Sequence, residues 1–198
     1  MIKLKNWFFI YGCMFSGKSS KLIALTKHCK QSHIELIHSN DKERNINGNI
    51  VTHDGIILES FSSNNFNDIA MIINEKAIEA IFIDEIQFFD IELLNGLFDL
   101  NILIYFCGLD MDYKGEYFPI SKKLLELVPK KNKLHLKAIC DCGKFAVRTV
   151  LKSKKNYSTN ILIYNINTIN HNTNIIVGGE DLYKPTCKKC FINYKPHD

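Results

Sequence analysis

Two glycines bracketing four residues, with lysine and serine directly after the second, mark the first place where this chain can do chemistry. The segment Gly12-Cys13-Met14-Phe15-Ser16-Gly17-Lys18-Ser19 has the spacing G-x-x-x-x-G-K-[ST]. Gly12 and Gly17 let the backbone wrap so that its N–H groups face an anion, and a helix beginning at the lysine adds its positive end. In that arrangement Lys18 reaches the β- and γ-phosphates of a nucleotide and Ser19 ligates Mg²⁺. A strand must come before the loop and a helix after it, and Trp7–Tyr11 and the stretch from Lys18 onward read in that order.

The second place is Ile81-Phe82-Ile83-Asp84-Glu85, an apolar run ending in two acids. A strand buried on both faces brings its last residues to the carboxyl edge of a parallel sheet, where α/β folds bind ligands. Asp84 fits the carboxylate that holds a Mg²⁺ shell beside a phosphate loop. Glu85, pointing the opposite way along the strand, could take a proton from an attacking hydroxyl, and Gln87 is grouped with the nucleotide site. A guanine-reading N-K-x-D is absent: the Asn132-Lys133 pair is followed by Leu134 and His135. A helicase needs two RecA-like domains, and this chain has room for one.

The third place is a pair of cysteine pairs, Cys140/Cys142 and Cys187/Cys190. Close pairs in a cytosolic chain more often bind metal than form disulfides, and four thiolates suit a tetrahedral structural Zn²⁺. The second pair has ordinary C-x-x-C spacing. The first, Cys140-Asp141-Cys142, is one residue shorter and must bend its backbone to chelate; His135 or His197 are the alternative ligands. Cys13, Cys29 and Cys107 read as small buried hydrophobes.

These groups need a scaffold, and 198 residues at 46% hydrophobic content allow one α/β domain and a small appendage. No apolar stretch reaches membrane-span or secretory length, and the net charge of +4 is too small to argue for a nucleic-acid partner. Up to about residue 133 short apolar runs alternate with amphipathic stretches, the pattern of a parallel sheet with crossover helices. Strands are expected at Trp7–Tyr11, Ile34–His38, Ala80–Asp84 and Ile102–Cys107. Helices are expected at Lys18–Gln31, Asp68–Ala77 (capped by Asn67), Ile91–Phe98 and Ser121–Val128. Ser39–Asn49 reads as a loop. Residues 1–133 thus form an α/β domain of P-loop NTPase type. Residues 134–198 form a smaller unit, with strands at Leu134–Ile139 and Lys144–Leu151 beside the first cysteine pair and a long Asn- and Lys-rich loop over Lys152–Asn174.

In chain order, the glycine loop, Asp84-Glu85-Ile86-Gln87-Phe88-Phe89, Gly108-Leu109-Asp110 with Tyr113, Gly115 and Phe118, and Val177-Gly178-Gly179 with Tyr183, Pro185, Cys187 and Cys190 resemble the thymidine kinases of the zinc-containing, tetrameric type. Thr52-His53-Asp54 and Arg148-Thr149 are similar to that family as well. The resemblance implies a soluble cytoplasmic homotetramer that moves the γ-phosphoryl of ATP, with Mg²⁺, to the 5′-hydroxyl of thymidine or deoxyuridine. It makes Glu85 the catalytic base and puts Met14, Phe88, Tyr113 and Phe118 around the thymine. Tyr183 and the backbone of Asn174, Ile175, Ile176, Val177 and Gly178 then bind base and sugar. The long loop becomes a lasso closing over the nucleoside, Zn²⁺ is structural, and thymidine triphosphate (dTTP) is a feedback inhibitor; no membrane or nucleic-acid partner is implied. Cys13 stands where the family usually has proline, and Tyr113 where it usually has phenylalanine. The competing reading is a P-loop ATPase module whose zinc ribbon binds nucleic acid or protein, although the basic patch Lys188–Lys189 is thin for that role.

Overall fold

A computed structural model describes residues 6–38, 45–46, 49–51, 57–152, 162–168, 171–177 and 182–194, with strand backbone alone for 45–46, 49–51, 57–59, 162–168 and 171–177. Its centre is a six-stranded sheet in which every pairing is parallel. The strands are β1 (Trp7–Tyr11), β2 (His33–Ile37), β6 (Phe61–Ser62), β7 (Ala80–Ile83), β8 (Leu103–Gly108) and β9 (Lys133–His135), in the order β6-β2-β7-β8-β1-β9. β7 is buried at all four positions, which is why its sequence is an unbroken apolar run rather than an alternating one.

Side-chain alternation sorts the core into two faces. Trp7, Phe9, Ile81, Ile83, Ile104 and Phe106 point to one face, under helices α2 (Phe66–Glu75), α3 (Glu92–Leu97) and α4 (Pro119–Leu127), which contribute Ile69, Ile73, Leu94, Leu97 and Leu124. Ile10, Ala80, Phe82 and Cys107 point to the other face, under α1 (Lys18–Thr26) through Leu22. Each fully buried large side chain contributes about 1.5–3 kcal/mol. Across the α1 face Phe8, Tyr105 and Phe82 stack in a row, with ring centroids 4.6 and 4.7 Å apart.

The helices differ from expectation at their ends. α1 stops at Thr26 rather than Gln31, because the amides of His28 and Cys29 turn back to the carbonyls of Leu25 and Thr26, three residues away, and tighten the chain out of the α-helix. α2 is capped by Asn65, not Asn67: the Asn65 side chain accepts from the Asn67 amide at 2.9 Å. α4 begins at Pro119, whose fixed φ suits a first helical position.

Beyond the main sheet lie short antiparallel ladders. The expected 39–49 loop contains β3 (Asn45–Ile46) and runs into β4 (Asn49–Val51); the two pair with each other, and β4 pairs on with β5 (Ile57–Glu59). The two strands expected at 134–139 and 144–151 are each split in two. β9 joins the main sheet beside β1, whereas β10 (Ala138–Ile139) pairs with β11 (Phe145–Ala146), and β12 (Arg148–Leu151) pairs with β15 (Tyr183–Thr186). The expected long loop contains a hairpin of β13 (Leu162–Thr168) and β14 (His171–Val177), in register from Leu162↔Val177 to Thr168↔His171. A short α5 (Lys188–Ile192) follows β15.

Candidate active site

The glycine loop joins β1 to α1 as its spacing requires. Gly12 has φ 148°, Phe15 has φ 62° and Gly17 has φ 79°. At Gly12 a Cβ would lie 2.2 Å from the Leu136 carbonyl oxygen, so only glycine fits there. The loop is folded around the carbonyl of Cys13, which accepts from the Ser16 hydroxyl at 2.8 Å and from the Lys18 ammonium at 2.9 Å. Lys18 is buried. A buried ammonium held by a backbone carbonyl at a helix N-terminus is a cation available to an incoming anion. The Met14 amide donates to Thr149 Oγ1 at 3.0 Å.

The two acids lie at the same edge of the sheet, since the order β7-β8-β1 separates them from the loop by one strand. Asp84 is 2% exposed and accepts from the Glu85 amide at 2.9 Å. Glu85 stands in the left-handed region at φ 49°, ψ 45°, a conformation that strains a residue with a side chain by on the order of 1 kcal/mol or more. β7 ends at Ile83, so the direction of Glu85 is set by this left-handed turn and not by the pleat of the strand. The Glu85 carboxylate accepts from Gln87 Nε2 at 2.5 Å, and Gln87 Oε1 accepts from the Leu109 amide at 2.9 Å. Gln87 is therefore engaged at both ends of its amide, 3% exposed, between Glu85 and the end of β8.

Cys107 shows how these groups converge. Its thiol is pushed far up by complete burial, by Asp84, to which it is also hydrogen-bonded, and by Glu85, with Lys18 opposing. One neutral thiol on the middle strand thus lies within electrostatic reach of the lysine and both acids. Composition and periodicity read Cys107 only as a small hydrophobe; that β8 lies between β1 and β7 becomes visible in the tertiary structure.

Of the residues expected around a nucleoside, Phe88, Phe118 and Tyr113 lie on segments that leave this edge of the sheet, and Tyr183 is beside Tyr113. Phe88 is half-buried in the 3₁₀ turn after Glu85. Phe118 is buried and caps α4, its amide donating to the Asp110 carbonyl at 3.1 Å. Tyr113 sits in a turn closed by Asp112, whose carboxylate accepts from the Lys114 and Glu116 amides, both at 2.9 Å. Its ring centroid is 6.5 Å from that of Tyr183. Burial, with Tyr113 and Asp112 alongside, pushes the Tyr183 phenol well above its usual range, so it is a neutral hydrogen-bonding group at physiological pH. Asn174, Ile175, Ile176 and Val177 close β14, their backbone paired with Asn165, Tyr164, Ile163 and Leu162. Gly178, Gly179, Thr52-His53-Asp54 and His197 lie outside the described residues.

The four cysteines of the two pairs meet. Their sulfurs all lie within 4.8 Å of one another, and Cys142 and Cys187 are 3.7 Å apart. Sulfurs bound tetrahedrally about 2.3 Å from one ion stand about 3.8 Å apart, so the donor set fits Zn²⁺. The shortened first pair succeeds because the chain turns at Gly143 (φ 80°): the Gly143 amide donates to the Cys140 carbonyl at 2.8 Å and the Cys140 amide to the Lys144 carbonyl at 2.9 Å. The Cys190 amide donates to Cys187 Sγ at 3.5 Å. Amides aimed at sulfur favour thiolate at two of the four: the Cys142 backbone leads in drawing the Cys140 thiol down to about 6 and the Cys190 backbone leads in lowering Cys187, whereas hydrogen bonding with the Cys142, Cys187 and Cys140 sulfurs pushes the Cys190 thiol up to about 12. His135 is not in the cluster but stacks on Tyr11 at 4.6 Å.

Comparison with known proteins follows the same outline. Residues 6–191 match the family described as thymidine kinase. A thymidine kinase of Mycoplasma capricolum subsp. capricolum is 31% identical over 200 residues, covering 94% of this chain and 88% of that protein. One from Thermococcus kodakarensis is 31% identical over 190 residues, with 91% and 90% covered. One from Bacteroides fragilis is 29% identical over 188 residues, with 92% and 84% covered.

Proposed function

The chain belongs to the thymidine kinase family, and from that membership we propose that it transfers the γ-phosphoryl group of MgATP to the 5′-hydroxyl of thymidine, giving dTMP and ADP, with deoxyuridine as a second acceptor. The observation that carries this reading is the placement of the Gly12–Ser19 loop with Lys18 and of Asp84 and Glu85 at one edge of the parallel sheet, a single strand apart, with Gln87 clasping the Glu85 carboxylate.

The chemistry asks little of the protein beyond positioning and charge stabilisation. The loop amides between Gly12 and Ser19 other than that of Met14, which Thr149 occupies, hold the triphosphate, and Lys18 exchanges the Cys13 carbonyl for the β- and γ-phosphate oxygens. Ser19 and the buried Asp84 would hold the Mg²⁺, which when bound would neutralise charge on the phosphoryl oxygens. Glu85 accepts the proton of the 5′-hydroxyl, and Gln87 fixes which way the carboxylate faces. Met14, Phe88, Tyr113 and Phe118 border the thymine, and Tyr183 with the backbone of 174–178 holds base and sugar. Strands β13 and β14 belong to a lid over the nucleoside, and excluding water there protects the phosphoryl group from hydrolysis.

Zn²⁺ in the four-cysteine site is structural in this reading, and residues 134–198 form the metal and lid unit beside the 1–133 kinase unit. Phe8 and Tyr105, half-buried and stacked on each other beside the buried Phe82, leave apolar surface that a second copy would cover, which supports the homotetramer of the family reading. Among the described residues no helix is long and apolar enough to cross a membrane; a cytoplasmic location belongs to the family reading. Feedback by dTTP follows if the triphosphate reaches both subsites. Glu85→Gln tests the catalytic assignment: ATP and thymidine still bind while kcat falls by about 10²–10⁴-fold. Normal turnover would remove Glu85 from the role of base.

A further inference from the structure

Three consecutive residues of the glycine loop rest on one short stretch of chain. Gly12 abuts the Leu136 carbonyl, and the Leu136 amide donates to the Tyr11 carbonyl at 2.8 Å. The Met14 amide is held by Thr149. Between them Cys13 is 2% exposed and packed among Ala138, Cys140, Ala146 and Cys187, its thiol donating to the Ala146 carbonyl at 3.5 Å. Cys140 and Cys187 are one member from each pair of the four-cysteine site. Cys13 therefore faces two ways. Its side chain sits in the floor of the metal site, and its carbonyl gathers Lys18 and Ser16.

We propose that Cys13 is a positioning residue through which the four-cysteine site sets the shape of the nucleotide loop, so that metal occupancy and nucleotide affinity are coupled. The inference rests on the metal and nucleotide readings above. A loop of this kind binds phosphate through backbone N–H groups, so its affinity depends on where its backbone is held. The second half is held by α1, which is anchored by Leu22 in the sheet core. The first half leans on residues 136–149, and the β10–β11 hairpin in that stretch is fastened to β15 and α5 when the four sulfurs share one ion. Releasing the ion frees the hairpin, removes the floor beneath Cys13 and shifts the carbonyl that organises Lys18 and Ser16. Loss of metal therefore weakens the phosphate side of the active site as well as the nucleoside side.

Coupling between two ligands is reciprocal, which supplies a test independent of turnover. The full-length protein is assayed for metal content by mass spectrometry. The equilibrium partition of its metal against a chromophoric chelator is then measured with and without saturating MgADP, in the wild type, Cys13→Ser and Cys13→Ala. MgADP is expected to tighten metal binding in the wild type by about fivefold or more, the lower end of ordinary coupling. Cys13→Ser, close in size and still a donor to Ala146, keeps most of that gain; Cys13→Ala loses it. In parallel, the Kd of the wild type for MgADP is measured before and after metal removal, with circular dichroism to confirm that the chain stays folded, and it is expected to rise by the same factor. Equal metal affinities with and without MgADP, or the full gain in Cys13→Ala, overturn the coupling while leaving the metal site standing. A chain that carries no metal and takes up no Zn²⁺ on titration overturns the metal reading, and the coupling with it.

Discussion

Replacing Gln87 by glutamate changes the contact with Glu85 and spares the contact with the fold. A glutamate at this position still offers an oxygen to the Leu109 amide, now 2.9 Å from Gln87 Oε1. What it loses is the donor that lies 2.5 Å from the Glu85 carboxylate, which becomes a second negative charge. Two unit charges 4 Å apart at an effective dielectric of about 20 repel by about 4 kcal/mol, equivalent to about three pH units at about 1.4 kcal/mol each. Glu85 is half-buried, so solvent and side-chain relaxation reduce this to about one or two units for the apparent titration of the pair. The sign is fixed: a like charge favours the protonated form, so the base is withheld up to a higher pH. The acid limb of kcat against pH should move upward by that amount in Gln87→Glu. On the acid limb the rate should fall by about tenfold for each unit of that displacement, recover as the pH rises, and leave the KM for ATP little changed. Rates are read by coupled ADP production across the pH range, with the melting temperature as a check on folding. A folded variant whose acid limb coincides with the wild type would refute the claim that Gln87 positions the base.

Two further outcomes follow from the geometry. Gly12→Ala meets both the positive φ of 148° and the Leu136 carbonyl 2.2 Å from the new Cβ; a loss of about 2 kcal/mol should lower the melting temperature by about 4–8 °C and weaken ATP binding, and an unchanged melting curve would show that the close approach to the Leu136 carbonyl is misplaced. Asp84→Asn should raise the Mg²⁺ concentration for half-maximal activity by about tenfold or more with the KM for thymidine unchanged, whereas unaltered metal dependence would leave Asp84 a structural role beside Cys107.

What could be read in advance was what neighbouring residues dictate. The loop Gly12–Ser19, the run into Asp84-Glu85 and the close cysteine pairs each announce themselves within a few positions, because the turn, the strand and the chelate are local objects. The contacts that brace them are not. Cys13 meets Ala146 and Met14 meets Thr149 across 133 and 135 positions of chain, and Cys107 acquires its role only because β8 lies between β1 and β7. The hairpin of β13 and β14 escaped notice for a compositional reason. Leu162–Thr168 and His171–Val177 are rich in asparagine, which is depleted in strands, and lack clean alternation. Asn65 and Asn67 are equally good caps by type, and the choice between them is made by where the turn around Ser63 leaves the chain, the Ser63 hydroxyl accepting from the Asn65 amide at 3.0 Å. The one-residue deficit in Cys140-Asp141-Cys142 was legible, but its remedy, a left-handed turn at Gly143, was not.

The reaction itself is tested most directly by offering the purified chain MgATP with a panel of nucleosides, nucleic acid and no acceptor, and identifying the products by mass. A thymidine kinase forms ADP in step with thymidine 5′-monophosphate, gives the same with deoxyuridine, and forms neither product at a comparable rate without a nucleoside. ADP production that ignores thymidine and rises with nucleic acid would contradict the account and favour an ATPase that carries a zinc ribbon.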